Sequence, residues 1–86
     1  MQFAWVRLYS GGEATWHLVD YDKLDEQPMP SFSVFAGVTR CKLGFSVPDN
    51  ELEMAKRDLA RWHPVPVCPH CLRSALALAG RVEPKS

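Results

Sequence analysis

The chain has 86 residues, 47% hydrophobic and 23% charged, which allows one small globular domain and excludes a disordered tail. Ten Lys and Arg against ten Asp and Glu leave a formal charge of zero, which argues against a dominant electrostatic footprint for nucleic acid or anionic membrane. No apolar run reaches the ~20 residues of a membrane span, and Met1-Gln2-Phe3-Ala4-Trp5 lacks a signal peptide's layout, so a soluble cytoplasmic protein is expected.

Residues 2–9 and 14–20 are rich in aromatic and branched side chains. They flank Ser10-Gly11-Gly12-Glu13, so they predict an antiparallel hairpin with a tight Gly-Gly turn. In the second strand Thr15, His17 and Val19 share one face, Trp16 and Leu18 the other. Residues 21–31, punctuated by Pro28 and Pro30 and crowded with acids, predict a solvated loop. Ser33 to Thr39 predicts a third strand, with Gly37 marking a bulge. Cys41 follows its end with Gly44 close behind, the shape of half a zinc knuckle.

Over 49–62, Leu52, Ala55, Leu59 and Trp62 recur on one face and predict a helix. Glu51 and Glu53 precede Lys56, Arg57 and Arg61, the order its dipole favours. Asp49 or Ser46 caps it, and Pro64 and Pro66 end it with an extended stretch to Val67. A last helix is expected from about His70 to Ala79. Leu72, Ala75, Leu76 and Ala79 form its buried face, and Gly80 its stop. The expected fold is α+β: one domain over residues 1–80, with a frayed tail over 81–86. It combines a small antiparallel sheet of about three strands with two helices, ribbon- or knuckle-like and stapled by one metal.

The staple is read from the cysteines. Three of them, with no export signal, speak against a disulfide framework. A chain this short buries only about 60–65% of its unfolded surface, so an added cross-link matters. Cys68-Pro69-His70-Cys71 is a C-x-x-C whose two sulfurs can converge on one ion. Cys71 falls in a first helical turn that favours thiolate charge. With Cys41 and His17 the set becomes three thiolates and one imidazole, the composition of a closed structural zinc shell. His63 is the alternative fourth ligand, and His70, between the two sulfurs, is expected to point outward. The bland alternative is three small buried apolar residues. Arg40, Lys42 and Arg73 stand beside proposed ligands and either offset the set's net negative charge or are ordinary surface charges.

Trp16-His17-Leu18-Val19, Thr39-Arg40-Cys41 and Val67-Cys68-Pro69-His70-Cys71-Leu72 together resemble a pattern in short zinc-binding proteins of actinobacteria and their phages. In those proteins a strand H-L-V, a T-x-C-G and a terminal C-P-x-C-L helix are taken as a three-Cys, one-His site. The resemblance spans residues 15–73 and departs at Lys42, where the pattern has glycine; Gly44 is then expected to supply the flexibility. It implies the metal, and most such proteins have no assigned activity.

Other chemistries fit less well. C-P-H-C is also the active-site motif of oxidising thioredoxin-like enzymes, but only 15 residues follow Cys71, too few for the strands and helix that fold places there. No H-x-E accompanies the cysteines as in zinc deaminases, and four protein ligands leave no open position for metal hydrolysis. Lys56, Arg57, Arg61 and Arg73 form a candidate nucleic-acid strip, opposed by Glu51, Glu53 and Asp58 on the same predicted helix. Trp5, Trp16 and Trp62 are expected in the core, with any exposed one a partner anchor. The expected function is a non-enzymatic adaptor that binds another protein through a domain held by one structural zinc.

Overall fold

The computed structural model describes residues 2–55 and 64–82. Strands β1 (Phe3–Ser10) and β2 (Glu13–Asp20) form the expected hairpin, paired along their full length from Phe3 with Asp20 to Ser10 with Glu13. Gly11 and Gly12 both take positive φ, 60° and 84°, the turn whose twist suits two antiparallel strands.

The segment read as a solvated loop is more ordered. Tyr21–Lys23 makes a short 3-10 turn, and Asp25–Pro28 is a fully exposed strand, β3. It pairs with β4 (Ser33–Val38), which pairs in turn with β5 (Gly44–Pro48). The third predicted strand therefore belongs to a second sheet, of order β3-β4-β5, and not to the hairpin's sheet. Gly37 lies in continuous register opposite Phe45, so it marks no bulge. A Cβ there would sit 2.6 Å from a Leu24 methyl; the glycine is the space that Leu24 fills.

The helix predicted over 49–62 is corrected at its start. Asp49–Glu51 is a 3-10 turn, and Leu52–Met54 is strand β6, which pairs with β1 and completes a first sheet of order β2-β1-β6. Leu59 and Trp62 lie outside the described residues, so one helix stands among the described residues where two were expected. That helix, α1 (Pro69–Val82), begins where expected but runs through Gly80 to Val82, past the expected start of the frayed tail. Among its described side chains Cys71 and Ala75 are fully buried, with Leu78 packed beside them and Leu72 half-buried, whereas Leu76 is 48% exposed; the side chain of Ala79 lies outside those described.

The layers follow from the alternation of β1 and β2. Trp5 and Leu18 face α1 and pack on Cys68, Cys71 and Ala75. Ala4, Val6 and Val19 face the second sheet and pack on Val47, Phe45 and Leu24. The first sheet is thus covered on both sides, by a helix and by a sheet. Trp5 is fully buried as expected, its indole N–H lacking a hydrogen-bond partner. Trp16 is half-buried beneath Arg7, whose guanidinium lies 5.5 Å from its ring and 2.6 Å from Glu51. Among the described residues no helix is long and apolar enough to cross a membrane.

Candidate metal centre

A two-sheet protein must do something with its edges, because an edge strand presents unpaired N–H and C=O groups. β2 is an edge strand. Its outer side is taken up by two loops that carry cysteines. Trp16 N–H donates to the Pro66 carbonyl at 2.9 Å, and Cys68 N–H donates back to the Trp16 carbonyl at 2.8 Å, a short parallel bridge. One residue pair further on, Arg40 N–H donates to the Leu18 carbonyl at 2.8 Å. Cys68, Cys41 and the side chain of His17, between Trp16 and Leu18, are thereby brought to the same stretch of edge.

The turn that carries Cys41 is built by Thr39. Its N–H donates to the Leu43 carbonyl, and its carbonyl accepts from Lys42 N–H. Its Oγ1 accepts from Leu43 N–H at 3.0 Å and lies 3.1 Å from Cys41 Sγ. The loop closes through a positive φ of 74° at Lys42, so the left-handed position falls on Lys42 itself and not on Gly44, which is the first residue of β5. Arg40 braces the turn from outside. Its guanidinium binds Asp20 at 3.1 Å, and its Nε donates to Ser74 Oγ of α1 at 3.0 Å. This brace is the role the structure gives to Arg40; Lys42 and Arg73 are exposed.

The C-x-x-C is positioned by the start of α1. The Cys68 carbonyl accepts from Leu72 N–H, the first bond of the helix, so Cys68 stands at the cap position. Cys71 lies one turn in and is fully buried.

The ligand atoms of His17, Cys41, Cys68 and Cys71 all lie within 4.8 Å of one another. His17 Nδ1 is 3.3 Å from Cys41 Sγ and 3.8 Å from Cys71 Sγ. Metal–sulfur bonds of about 2.3 Å and a metal–nitrogen bond of about 2.0 Å at tetrahedral angles put nitrogen and sulfur about 3.5 Å apart. The four groups are close enough to hold a metal ion, and the three cysteines form no disulfide.

The electrostatics suit such a site. Burial lowers the His17 pKa, which keeps the imidazole neutral and its nitrogen free to coordinate. Burial pushes the Cys71 thiol up to about 12, against a smaller lowering by the Leu18 backbone N–H. At Cys68 burial also pushes upward, but the backbone N–H groups of Cys71 and His70, with Cys41 and Cys71 beside them, bring the thiol below its ordinary value.

Each sequence-predicted ligand can now be placed. His17 and the three cysteines come together, and His70 is exposed on the helix, as expected. His63, the alternative ligand, lies outside the described residues, as do Lys56, Arg57 and Arg61 of the basic strip; Arg73 is exposed on α1. Sequence reasoning placed Thr39 at a strand end and in the T-x-C pattern but missed that it is buried, 3% exposed, and builds the turn, and it missed the clasp of Arg40 with Asp20 and Ser74. A Thr two residues before a turn cysteine was the available signal for the first; nothing local signalled the second. In comparisons with known proteins, no family model, no curated protein and no solved structure matches the chain.

Proposed function

We propose that this chain is a non-enzymatic domain in which one structural zinc ion, held by His17, Cys41, Cys68 and Cys71, fixes a surface that engages another protein. The single observation that carries the reading is the convergence of four ligand atoms, from three separate segments, within 4.8 Å. Three sulfurs and one imidazole are a soft-to-borderline donor set, which suits zinc better than calcium or magnesium. Four protein ligands close the shell, which favours a structural role over hydrolysis. The resemblance to small actinobacterial and phage zinc proteins rests on these same residues.

The adaptor part of the reading draws on the surface beside the site. A cleft of about 620 Å³ opens next to His17 and Cys68, lined also by Tyr9, Leu43, Phe45 and Pro69. Among the described residues no charged side chain lines it, and Tyr9 and Leu43 are 62% and 47% exposed. Solvent-facing apolar groups around an uncharged cleft suit a protein partner better than a phosphate backbone.

Native mass spectrometry of the reduced protein tests the metal. The expected result is one zinc per chain, lost on treatment with chelator and lost in a His17→Ala, Cys41→Ser double variant. A reduced chain that takes up no zinc ends the reading.

A further inference from the structure

The three cysteines of the centre differ in their exposure. Cys71 is fully buried, Cys68 is 7% exposed and borders the open cleft, and Cys41 is half-buried on its turn. They also differ in what a bond between them would join. Cys68 and Cys71 belong to the start of one helix, whereas Cys41 belongs to the turn before β5. Besides the packing of Cys41 against the Cys68, Cys71 and Ala75 cluster, the turn meets the helix through the Arg40 bond to Ser74, an exposed contact.

We propose that the centre is an oxidation site, in which a peroxide converts Cys41 and Cys68 into a disulfide and releases the metal. The proposal rests on the metal reading above. The thiolate of Cys41, the most exposed of the three residues, attacks one oxygen of hydrogen peroxide. A sulfur–oxygen bond forms, the oxygen–oxygen bond breaks, and hydroxide leaves to become water with a solvent proton. The Cys68 thiolate then attacks the sulfenic sulfur. A sulfur–sulfur bond forms, the sulfur–oxygen bond breaks, and hydroxide leaves to become a second water with another solvent proton. Two electrons pass from sulfur to peroxide, and the metal ion departs with its charge unchanged. The sulfurs start within 4.8 Å of one another and close to about 2.0 Å, a shift within reach of a turn and a helix end. Cys71 is left as a buried thiol and, with His17, offers too few ligands to retain the ion.

Oxidation therefore replaces a metal link between turn and helix by a covalent one. The cross-link closes residues 42–67 into a loop, so the oxidised, metal-free chain is more resistant to heat than the reduced, metal-free chain. A bond between Cys68 and Cys71 would do the opposite and free the turn.

The test treats the zinc-loaded, full-length chain with one to five equivalents of hydrogen peroxide. Released zinc is followed with a colour indicator, and the product is digested with trypsin without reduction. The expected result is one zinc released per chain, with the Cys41-Lys42 dipeptide linked to the 62–73 peptide, and fragmentation of that linked pair placing the bond at Cys68; a bond placed at Cys71 overturns the proposal. A single peptide holding Cys68 and Cys71, about 2 Da lighter than its reduced form, overturns the proposal. So does zinc retained at five equivalents, which leaves the metal reading standing. A chain that binds no zinc before peroxide is added removes both. A Cys71→Ser variant supplies the second check: it is expected to form the same linked peptides, and failure to do so while folded overturns the assigned pair.

Discussion

At the scale of single residues, the most informative position is Lys42. Its φ of 74° is the left-handed region, which costs a side-chain-bearing residue about 1 kcal/mol relative to glycine. Thr39 enforces it, because its backbone and hydroxyl close the turn around Cys41. Lys42→Gly is therefore expected to stabilise the zinc-loaded protein by about 0.5–1 kcal/mol, the relief exceeding the added freedom of the unfolded chain. Lys42→Val is expected to cost about 1–2 kcal/mol at the same φ. Urea midpoints of the two variants decide it; a Val variant as stable as the Gly variant would show that the turn does not need this conformation. The departure from a glycine pattern at Lys42 was visible in the sequence. What the sequence did not carry was where the strain falls, since Gly44 offered an equally flexible residue two positions on.

The same residues set how metal binding responds to pH. His17 is held neutral by burial, so at neutral pH no proton has to leave it. Cys71 is protonated up to about 12 and must lose one proton for each ion bound. Zinc affinity of the folded chain is thus expected to rise with pH, by at least a factor of ten per unit between pH 7 and pH 9, with Cys71 as the source. Below the lowered His17 value the imidazole charges and the dependence steepens. Calorimetry in buffers of different ionisation enthalpy counts the protons; fewer than one released per zinc at pH 7.5 contradicts this account.

At the scale of elements, the hairpin and the start of the last helix were legible because local signals sufficed: a Gly-Gly turn, and a proline and a C-x-x-C opening an apolar pattern. The stretch from Asp49 to Met54 was not. Leu52 and Ala55 fit helical spacing, but Leu52 and Met54 also alternate, and three residues cannot separate the two periods. The open side of β1 settles it: Val6 pairs with Leu52 and Ala4 with Met54. Tertiary pairing overrides the local pattern there. Gly37 was misread for a related reason, since a glycine in a strand signals either a bulge or a close approach, and only the packing of Leu24 distinguishes them. Gly37→Ala is expected to cost about 1–2 kcal/mol, because Leu24 must leave its rotamer or the start of β3 must shift against β4. The companion change Leu24→Ala should remove most of that cost, and a double-mutant cycle measures it. Additive effects would mean that the two positions do not touch.

At the scale of the whole molecule, the described residues form two packed clusters with different dependence on the metal. Between the sheets, Ala4, Val6, Val19 and Val47 pack with Phe45, Leu24 and Leu52 and need no ion. On the other face, α1 offers Cys71 and Ala75 as the fully buried side chains among those described. Its attachment leans on the cysteines and on the bonds along the β2 edge. Metal removal is therefore expected to act unevenly. The amides of Trp16, Arg40 and Cys68, whose bonds join β2 to the two cysteine loops, should lose at least tenfold in hydrogen-exchange protection when chelator strips the protein. The amides shared by β1 and β2 should lose much less, because the sheet packing beneath them persists. Equal loss everywhere would mean that the ion holds the entire fold and not one edge of it. No loss at the three amides would mean that the four ligands meet without tethering anything, and the structural role of the metal would fall with it.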